Sequence, residues 1–201
     1  MHIIGANGHA KVILDILAIT NTEISGIWDD NSSIEFLNNF PVNGNIAEFK
    51  LLNSNQFIVA IGNNTIRRTI AQNLMQTKQL AKHTSSAIAK SVILGGGTVL
   101  MANTSINANV TIGEHVIINT NASVDHDCKI ANFVHISPQV GLAGNVEVGE
   151  GAHIGIGAIV IQGIKIGKWA TIGAGAVIIK NVPDYAVVVG NPGKIIKYNQ
   201  A

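Results

Sequence analysis

A hydrophobic residue recurs every six positions through the second half of the chain. When the segment 86–181 is divided into blocks of six, sixteen blocks follow one another without insertion. Ile, Leu and Val fill about a third of that segment, so their presence at one position of every block would arise by chance on the order of once in ten million. The third position of the blocks reads, in order, Ile88, Leu94, Leu100, Ile106, Ile112, Ile118, Val124, Ile130, Ile136, Leu142, Val148, Ile154, Val160, Ile166, Ile172 and Ile178.

The other positions of the block are also restricted. The first position is always Val, Thr, Ala, Cys, Ser or, once, Ile, which is typical of a narrow interior. Gly or Asn recurs between these positions, and we expect those residues to form the tight bends between short strands. An amphipathic helix cannot keep a period of six, whereas three blocks can close a triangular coil of eighteen residues whose strands stack about 4.8 Å apart. The repeat therefore predicts a parallel β-helix.

A different pattern precedes the repeat. Apolar runs alternate with an amphipathic stretch at helical spacing, which predicts strand, helix, strand, strand, helix and hence a small Rossmann-like α/β domain. We predict strands over 2–5, 24–28 and 57–61, a helix over 12–19, and a second helix capped by Thr65 and running to about Leu80. The predicted architecture is an α/β N-terminal domain at 1–84 followed by the β-helix domain and its tail at 85–201.

Composition excludes several classes of protein. The formal net charge is +1 and only 12% of the 201 residues are charged, so no basic surface exists to bind nucleic acid. No run of eighteen apolar residues interrupts the glycines and asparagines, so we expect no membrane span. The single cysteine, Cys128, cannot form an internal disulfide, and residues 1–4 are typical of a strand rather than of a secretion leader. These features predict a cytoplasmic protein.

The Gly5-x-x-Gly8 turn lies between a predicted strand and a predicted helix, where backbone N–H groups can receive a phosphate. The third glycine of a dinucleotide fingerprint is missing, so a turn needed only for its geometry remains an alternative. Asp29-Asp30 and Gly62-Asn63 follow two further strands, and ligands of open α/β sheets bind at that edge. Their side chains can recognise a base and a ribose, while Lys11 or Arg67 could meet a phosphate.

A second candidate site lies in the repeat. His126 occupies the fifth position of its block, on the outside of the coil, and Gly144 occupies the same position eighteen residues later. An imidazole stacked beside a bare glycine leaves a gap and an exposed peptide N–H, which could admit a thioester. The alternative is an ordinary surface histidine, but flanking Asp125 and Asp127 can fix the imidazole tautomer and raise its basicity.

His135 and His153 are also eighteen residues apart and should stack in adjacent coils. Two histidines without a third ligand do not complete a usual coordination shell, so we expect no metal site.

These motifs resemble the sugar O- and N-acyltransferase family of hexapeptide-repeat transferases. The resemblance covers essentially the whole chain and rests on the segments 5–11, 61–64, 119–127, 135–136 and 189–194, together with Gly144. The commoner residue at position 193 in that family is alanine, where this chain has Gly193.

The resemblance implies a left-handed β-helix, acetyl-CoA as co-substrate and a homotrimer with its sites between subunits. It also implies His126 as general base, oriented by Asp127. The other implied contacts are His135, Gly144, Gly173 and Ala174 for acetyl-CoA, and Gly8, His9, Lys11, Asp29, Asp30, Gly62 and Asn63 for the nucleotide sugar. Outward apolar residues that favour self-association are Ile117, Ile156, Ile159, Ile161 and Val177.

The function these implications favour is direct acetyl transfer to the 4-amino group of a UDP-linked 4-amino-4,6-dideoxy sugar. A GDP-amino sugar and a sialic acid hydroxyl are alternative acceptors. A serine or xenobiotic acetyltransferase would lack this Gly-rich front domain, and a γ-carbonic anhydrase would need three metal histidines. A non-catalytic scaffold that binds sugar nucleotides would have no use for the Asp-His-Asp segment.

Overall fold

The computed structural model describes residues 1–200, and Ala201, the last residue of the predicted C-terminal domain, lies outside them. The N-terminal part contains five strands and three helices. The strands are β1 (His2–Ile4), β2 (Gly26–Trp28), β3 (Phe36–Leu37), β4 (Phe40–Gly44) and β5 (Phe57–Val59). The helices are α1 (Gly8–Ile19), α2 (Ile46–Leu51) and α3 (Asn64–Gln72).

These strands form one sheet in the order β3-β4-β2-β1-β5. Strands β4, β2, β1 and β5 run parallel, and β3 pairs antiparallel with β4. Helix α1 packs its apolar stripe into the core beneath the sheet, burying Ala10, Ile13, Leu14, Ile16 and Leu17. A parallel sheet with a crossover helix after β1 is the predicted Rossmann-like arrangement.

The elements differ from the prediction in several ways, and the strands predicted over 2–5, 24–28 and 57–61 are each shorter than expected. Helix α1 begins at Gly8, directly after the glycine turn, rather than at residue 12. Helix α3 is capped by Asn63 instead of Thr65 and ends at Gln72, because the chain must then extend toward the β-helix. The hairpin β3-β4 and helix α2 were not predicted, since Asn, Pro and Gly interrupt the apolar residues there.

The second part is a column of two-residue strands at six-residue spacing. They are β6 (Ala81–Lys82), β7 (Ala87–Ile88), β8 (Ile93–Leu94), β9 (Val99–Leu100), β10 (Ser105–Ile106), β11 (Thr111–Ile112), β12 (Ile117–Ile118), β13 (Ser123–Val124), β14 (Lys129–Ile130), β15 (His135–Ile136), β16 (Gly141–Leu142), β17 (Glu147–Val148), β18 (His153–Ile154), β19 (Ile159–Val160), β20 (Lys165–Ile166), β21 (Thr171–Ile172) and β22 (Val177–Ile178). Two longer strands, β23 (Ala186–Val189) and β24 (Lys194–Tyr198), close the column.

Each two-residue strand pairs in parallel with the strand eighteen residues away, so the column has three faces, and β24 pairs antiparallel with β23 at the end. We call them the covered face (β6, β9, β12, β15, β18, β21, β23, β24), the apolar face (β7, β10, β13, β16, β19, β22) and the charged face (β8, β11, β14, β17, β20). Strand β6 already pairs with β9, so the covered face begins inside the segment 1–84 that the sequence assigns to the front domain.

The repeat builds the core of the column as predicted. Every third-position residue from Leu100 to Ile178 is at most 2% exposed, and the small first-position residues lie in the same cluster. The cluster has no aromatic ring, which agrees with a narrow interior filled by β-branched and small side chains.

Glycine and asparagine do form the bends, as in Gly151 and Gly157, but at the sixth position of the block rather than the fourth. Left-handed φ values fall on the sixth position of the block, as in Asn103, Asn109 and Asp127. Glycines at the fourth position have another role: a Cβ at Gly149 would lie 2.6 Å from Lys168 N, and one at Gly155 would lie 2.6 Å from Ile172 O. They permit the close approach of adjacent coils rather than the turn itself.

The front domain packs on the covered face. Val99 and Ile117 point outward from that face but are buried in one cluster with Ile13 and Leu17 of α1. The expectation that Ile117 serves self-association is therefore wrong, because the chain's own front domain covers it. Among residues 1–200, no helix has both the length and the apolarity needed to cross a bilayer.

Candidate active site

His126 lies at the corner between the apolar face and the charged face, in the four-residue bend at 125–128 between β13 and β14. Its side chain is 59% exposed, and its Nδ1 lies 2.8 Å from Asp127 Oδ2. Asp127 has a left-handed φ of 60°, which turns its carboxylate back toward the imidazole. With Nδ1–H donating to this carboxylate, Nε2 is left as the basic nitrogen.

Two asparagines from the coil below orient the acidic pair. Asn109 Nδ2 donates to Asp127 Oδ1 at 3.1 Å, and Asn107 Nδ2 donates to Asp125 Oδ1 at 2.7 Å. The hydrogen bond to His126, followed by the one from Asn109, lowers the pKa of Asp127. The Asp127 hydrogen bond, followed by the charge of Asp125, raises the pKa of His126. Sequence reasoning missed both asparagines, although the eighteen-residue spacing from Asp125 and Asp127 was available to find them.

Gly144 lies directly against the His126 ring, as the eighteen-residue spacing predicts. A Cβ built on Gly144 would come within 2.6 Å of both Cε1 and Nε2 of the imidazole. The Gly144 N–H finds no acceptor within residues 1–200, whereas the neighbouring Asn145 N–H donates to His126 O. A basic nitrogen and an unused peptide donor at one corner are the two groups that acyl transfer requires.

A second site opens at the carboxyl edge of the front-domain sheet. A cleft of about 410 Å³ is lined by Gly5, Asn7, His9, Asp29, Asp30 and Gly62, among others. The first N–H groups of α1 have no helical partner and carry the positive end of the helix dipole. Burial lowers the pKa of His9 to about 4, so a neutral imidazole with an unpartnered Nε2 faces this region.

The acidic pair in this cleft also holds the local backbone. Asp29 Oδ2 accepts from Ala6 N at 2.6 Å and its Oδ1 accepts from Asn31 N at 2.8 Å, so Asp29 fixes the glycine turn. Asp30 Oδ1 accepts from Ile46 N at 2.9 Å at the start of α2. Asp30 Oδ2 makes no hydrogen bond within the described chain, which leaves it available to a ligand.

Several predicted contacts lie outside the cleft lining. Gly8 is the first residue of α1 and Lys11 is exposed one turn further along, while Asn63 accepts from Ile66 N as the cap of α3. Arg67 is not a phosphate ligand: it is 1% exposed and its N–H groups bond protein oxygens.

His135 and His153 stack on the covered face with ring centroids 4.8 Å apart and planes at 12°. His135 Nδ1 lies 3.4 Å from Gly62 O and its Nε2 lies 3.2 Å from Asn119 Nδ2. Burial and then the neighbouring cationic groups lower the pKa of His135 to about 3, so the ring is neutral. No group of three or more His, Cys, Asp or Glu side chains with metal-site geometry occurs among residues 1–200.

A single chain does not bring all of these groups together. The His126 corner is opposite the covered face, because the apolar and charged faces meet there. His135 lies on the covered side of the column, next to the loop after β5 that contains Gly62, which we call the Gly62 loop. Gly173 and Ala174 instead form the corner between the covered and apolar faces. The predicted residues thus form three separate groups in one copy.

Comparison with known proteins agrees with this architecture. Residues 1–74 match the PglD N-terminal domain, and residues 145–180 match the bacterial transferase hexapeptide family (six repeats). A mutant of GDP-perosamine N-acetyltransferase from Caulobacter crescentus, solved with CoA and GDP-perosamine, is 36% identical with a TM-score of 0.91, covering 98% of this chain and 96% of that one. The acetyltransferase domain of PglB from Neisseria gonorrhoeae, solved with acetyl coenzyme A, is 40% identical with a TM-score of 0.91, covering 97% and 98%.

A curated relative is also named as an N-acetyltransferase. UDP-N-acetylbacillosamine N-acetyltransferase of Bacillus subtilis is 38% identical over 110 residues, which is 50% of this chain and 50% of that protein. The chain spans half or less of the length of the curated relatives it matches. These likenesses define a hexapeptide-repeat transferase with a left-handed β-helix. More narrowly, the chain belongs to the sugar O- and N-acyltransferase family.

Proposed function

We propose that this protein transfers an acetyl group from acetyl-CoA to the 4-amino group of a nucleotide-linked 4-amino-4,6-dideoxy sugar, with UDP as the favoured nucleotide. The observation that carries the proposal is the His126 imidazole seated on Gly144, next to an unused peptide N–H. The ligands named for the Caulobacter and Neisseria relatives, CoA, GDP-perosamine and acetyl coenzyme A, support acetyl-CoA and a nucleotide-linked amino sugar as substrates, and the name of the Bacillus relative favours UDP.

The residues of the corner fit direct transfer. His126 Nε2 removes a proton from the sugar amine as the nitrogen attacks the thioester carbonyl carbon. The Gly144 N–H donates to the carbonyl oxygen as negative charge develops there, and Asp127 stabilises the imidazolium that forms. The C–N bond replaces the C–S bond, and the proton held on His126 then passes to the departing thiolate of CoA.

Cys128 takes no part in this chemistry. Burial raises the pKa of its thiol, and it donates to Ala143 O inside the column. A thioester is already activated, so no covalent enzyme intermediate is needed. A single buried thiol is also consistent with the cytoplasmic location that we propose.

The front-domain cleft is proposed to bind the nucleotide. The first turn of α1 offers N–H groups and a positive dipole to the diphosphate. Asp30 offers a free carboxylate oxygen for the base or ribose, and Gly62 also lines the cleft.

The active form is proposed to be a homotrimer. His126 and the Gly62 loop lie on opposite sides of the column, so the acceptor held by one copy can reach only the catalytic corner of another. Ile159 is 52% exposed and pairs with Val177 on the apolar face, which borders the His126 corner. Burial of that surface between copies would assemble the site and remove apolar area from water.

One experiment tests the proposal directly. The protein is incubated with acetyl-CoA and, in turn, a UDP-linked 4-amino-4,6-dideoxy sugar, GDP-perosamine and free sialic acid, while released thiol is measured. We expect thiol release with the UDP-linked amino sugar and a product heavier by one acetyl group. Preference for GDP-perosamine would change the nucleotide, preference for sialic acid would change the reaction to O-acetylation, and no release with any acceptor would favour a binding scaffold.

A further inference from the structure

Among residues 1–200, Arg67 is a buried cation with no carboxylate partner. Its five N–H groups meet five oxygens of the chain: Nε donates to His115 O, Nη1 to Ile61 O and Gly62 O, and Nη2 to Asn64 Oδ1 and Phe133 O, all at 2.8–3.1 Å. Burial lowers the pKa of Arg67 to about 9, so the group is still charged at neutral pH. Such complete pairing is what makes a buried guanidinium tolerable.

These bonds connect the two parts of the molecule. His115 and Phe133 are equivalent corner residues of successive coils, and Asn64 extends the series to the next coil by donating to Gly151 O and Ala152 O. The other end of the guanidinium holds the carbonyls of the loop after β5, which forms one wall of the front-domain cleft. We name Arg67 and Asn64 together the clasp.

The clasp also reaches His135. Gly62 O accepts from Arg67 Nη1 and lies 3.4 Å from His135 Nδ1. A proton on Nδ1 leaves Nε2 to accept from Asn119 Nδ2. One carbonyl oxygen is therefore shared by the cation and the imidazole, which ties the orientation of His135 to the position of the Gly62 loop.

We propose that Arg67 is a positioning residue that sets the nucleotide-sugar cleft and His135 at a fixed place on the β-helix. This role rests on the proposed function, because it matters only if the Gly62 loop binds the acceptor. The adjacent Arg68 provides a contrast: it lies on the same helix but is half-exposed, contacting Glu150 and the Trp169 ring.

The test compares Arg67→Lys with the matched variant Arg68→Lys. Lysine keeps the positive charge in both variants, but its ammonium has three donors and lacks the planar guanidinium with five. Only Arg67 uses all five N–H groups, so only Arg67→Lys loses the bonds that connect the front domain to the β-helix. We expect Arg67→Lys to raise the KM for the UDP-linked amino sugar about tenfold or more and, through His135, the KM for acetyl-CoA by a smaller factor, with kcat changed less than about twofold. Arg68→Lys should keep both constants near wild type.

Asn64→Ala is the second variant in case Arg67→Lys does not fold. It removes one acceptor of Arg67 and both bonds to the coil at 151–152, and should raise the same KM in the same direction. A lower kcat with both KM values unchanged would overturn the positioning role. The same kinetic constants for Arg67→Lys and Arg68→Lys would overturn it as well. A wild-type protein that acetylates none of the three acceptors would instead refute the proposed function, and this role with it.

Discussion

Replacing Gly144 with alanine tests the contact on which the proposed chemistry depends. The new Cβ would lie 2.6 Å from the His126 ring, whereas carbon atoms in contact prefer about 3.5–4.0 Å. The imidazole must therefore move by about 1 Å, and it is free to do so because its side chain is 59% exposed. The backbone N–H at 144 is retained, so the substitution displaces the base without removing the peptide donor.

The expected cost is in turnover rather than in folding. A shift of about 1 Å in a catalytic group reduces the rate on the order of a hundredfold. The φ of Gly144 lies outside the left-handed region, so alanine should not strain the backbone, and its lower entropy in the unfolded chain favours folding by about 0.4–1 kcal/mol. We expect thiol release to fall about a hundredfold while the thermal unfolding temperature stays level or rises slightly.

A double-mutant cycle identifies the route of the effect. His126→Ala alone should reduce turnover by a factor on the order of a hundred or more. If Gly144→Ala acts by displacing the imidazole, adding it to His126→Ala should cost almost nothing further. Near-wild-type turnover by Gly144→Ala, or full additivity in the double variant, would refute the reasoning.

Three further outcomes follow from the same contacts. Asp127→Asn removes the carboxylate that raises the pKa of His126, so the acidic limb of the kcat–pH profile should move to lower pH; a limb that stays in place would exclude His126 as the titrating base. Ile159→Lys puts charge on the apolar face and should convert the assembly to smaller species by light scattering, with activity lost; an unchanged mass would move the interface elsewhere. Ile154→Ala leaves a cavity in the column and should lower the free energy of unfolding by about 2–5 kcal/mol in a denaturant titration.

The β-helix could be predicted from the sequence because its rule is local and repeated. An Ile, Leu or Val at every sixth position defines where each strand and each corner lies, and three blocks complete one coil. Residues eighteen apart are therefore neighbours in adjacent coils, which predicted the contact of His126 with Gly144. The stack of His135 on His153 followed in the same way. Handedness did not follow, because a mirror-related column would satisfy the same spacing; only the family resemblance supplied it.

The front domain was harder to predict because its contacts are not periodic. Arg67 has the composition of a phosphate ligand, but its role depends on oxygens up to 66 residues away in sequence, which no local pattern reveals. Helix α2 was missed although Asn45 and Glu48 form a capping box, a signal that three-residue spacing could have found. Tertiary packing therefore decides the role of Arg67, whereas α2 begins at a local signal.

The second position of each block decides what each face of the column contacts. On the covered face it supplies Val99 and Ile117, which the front domain buries. On the charged face it supplies Lys165 and Glu147, with Lys165 Nζ 3.2 Å from Glu147 Oε2. Exposed charges of this kind are best left in contact with solvent. On the apolar face it supplies uncharged residues such as Ile159, which is 52% exposed, and the His126 corner borders this face. The same alternation that folds the column therefore leaves the proposed general base, His126, beside the face through which we propose that another copy binds.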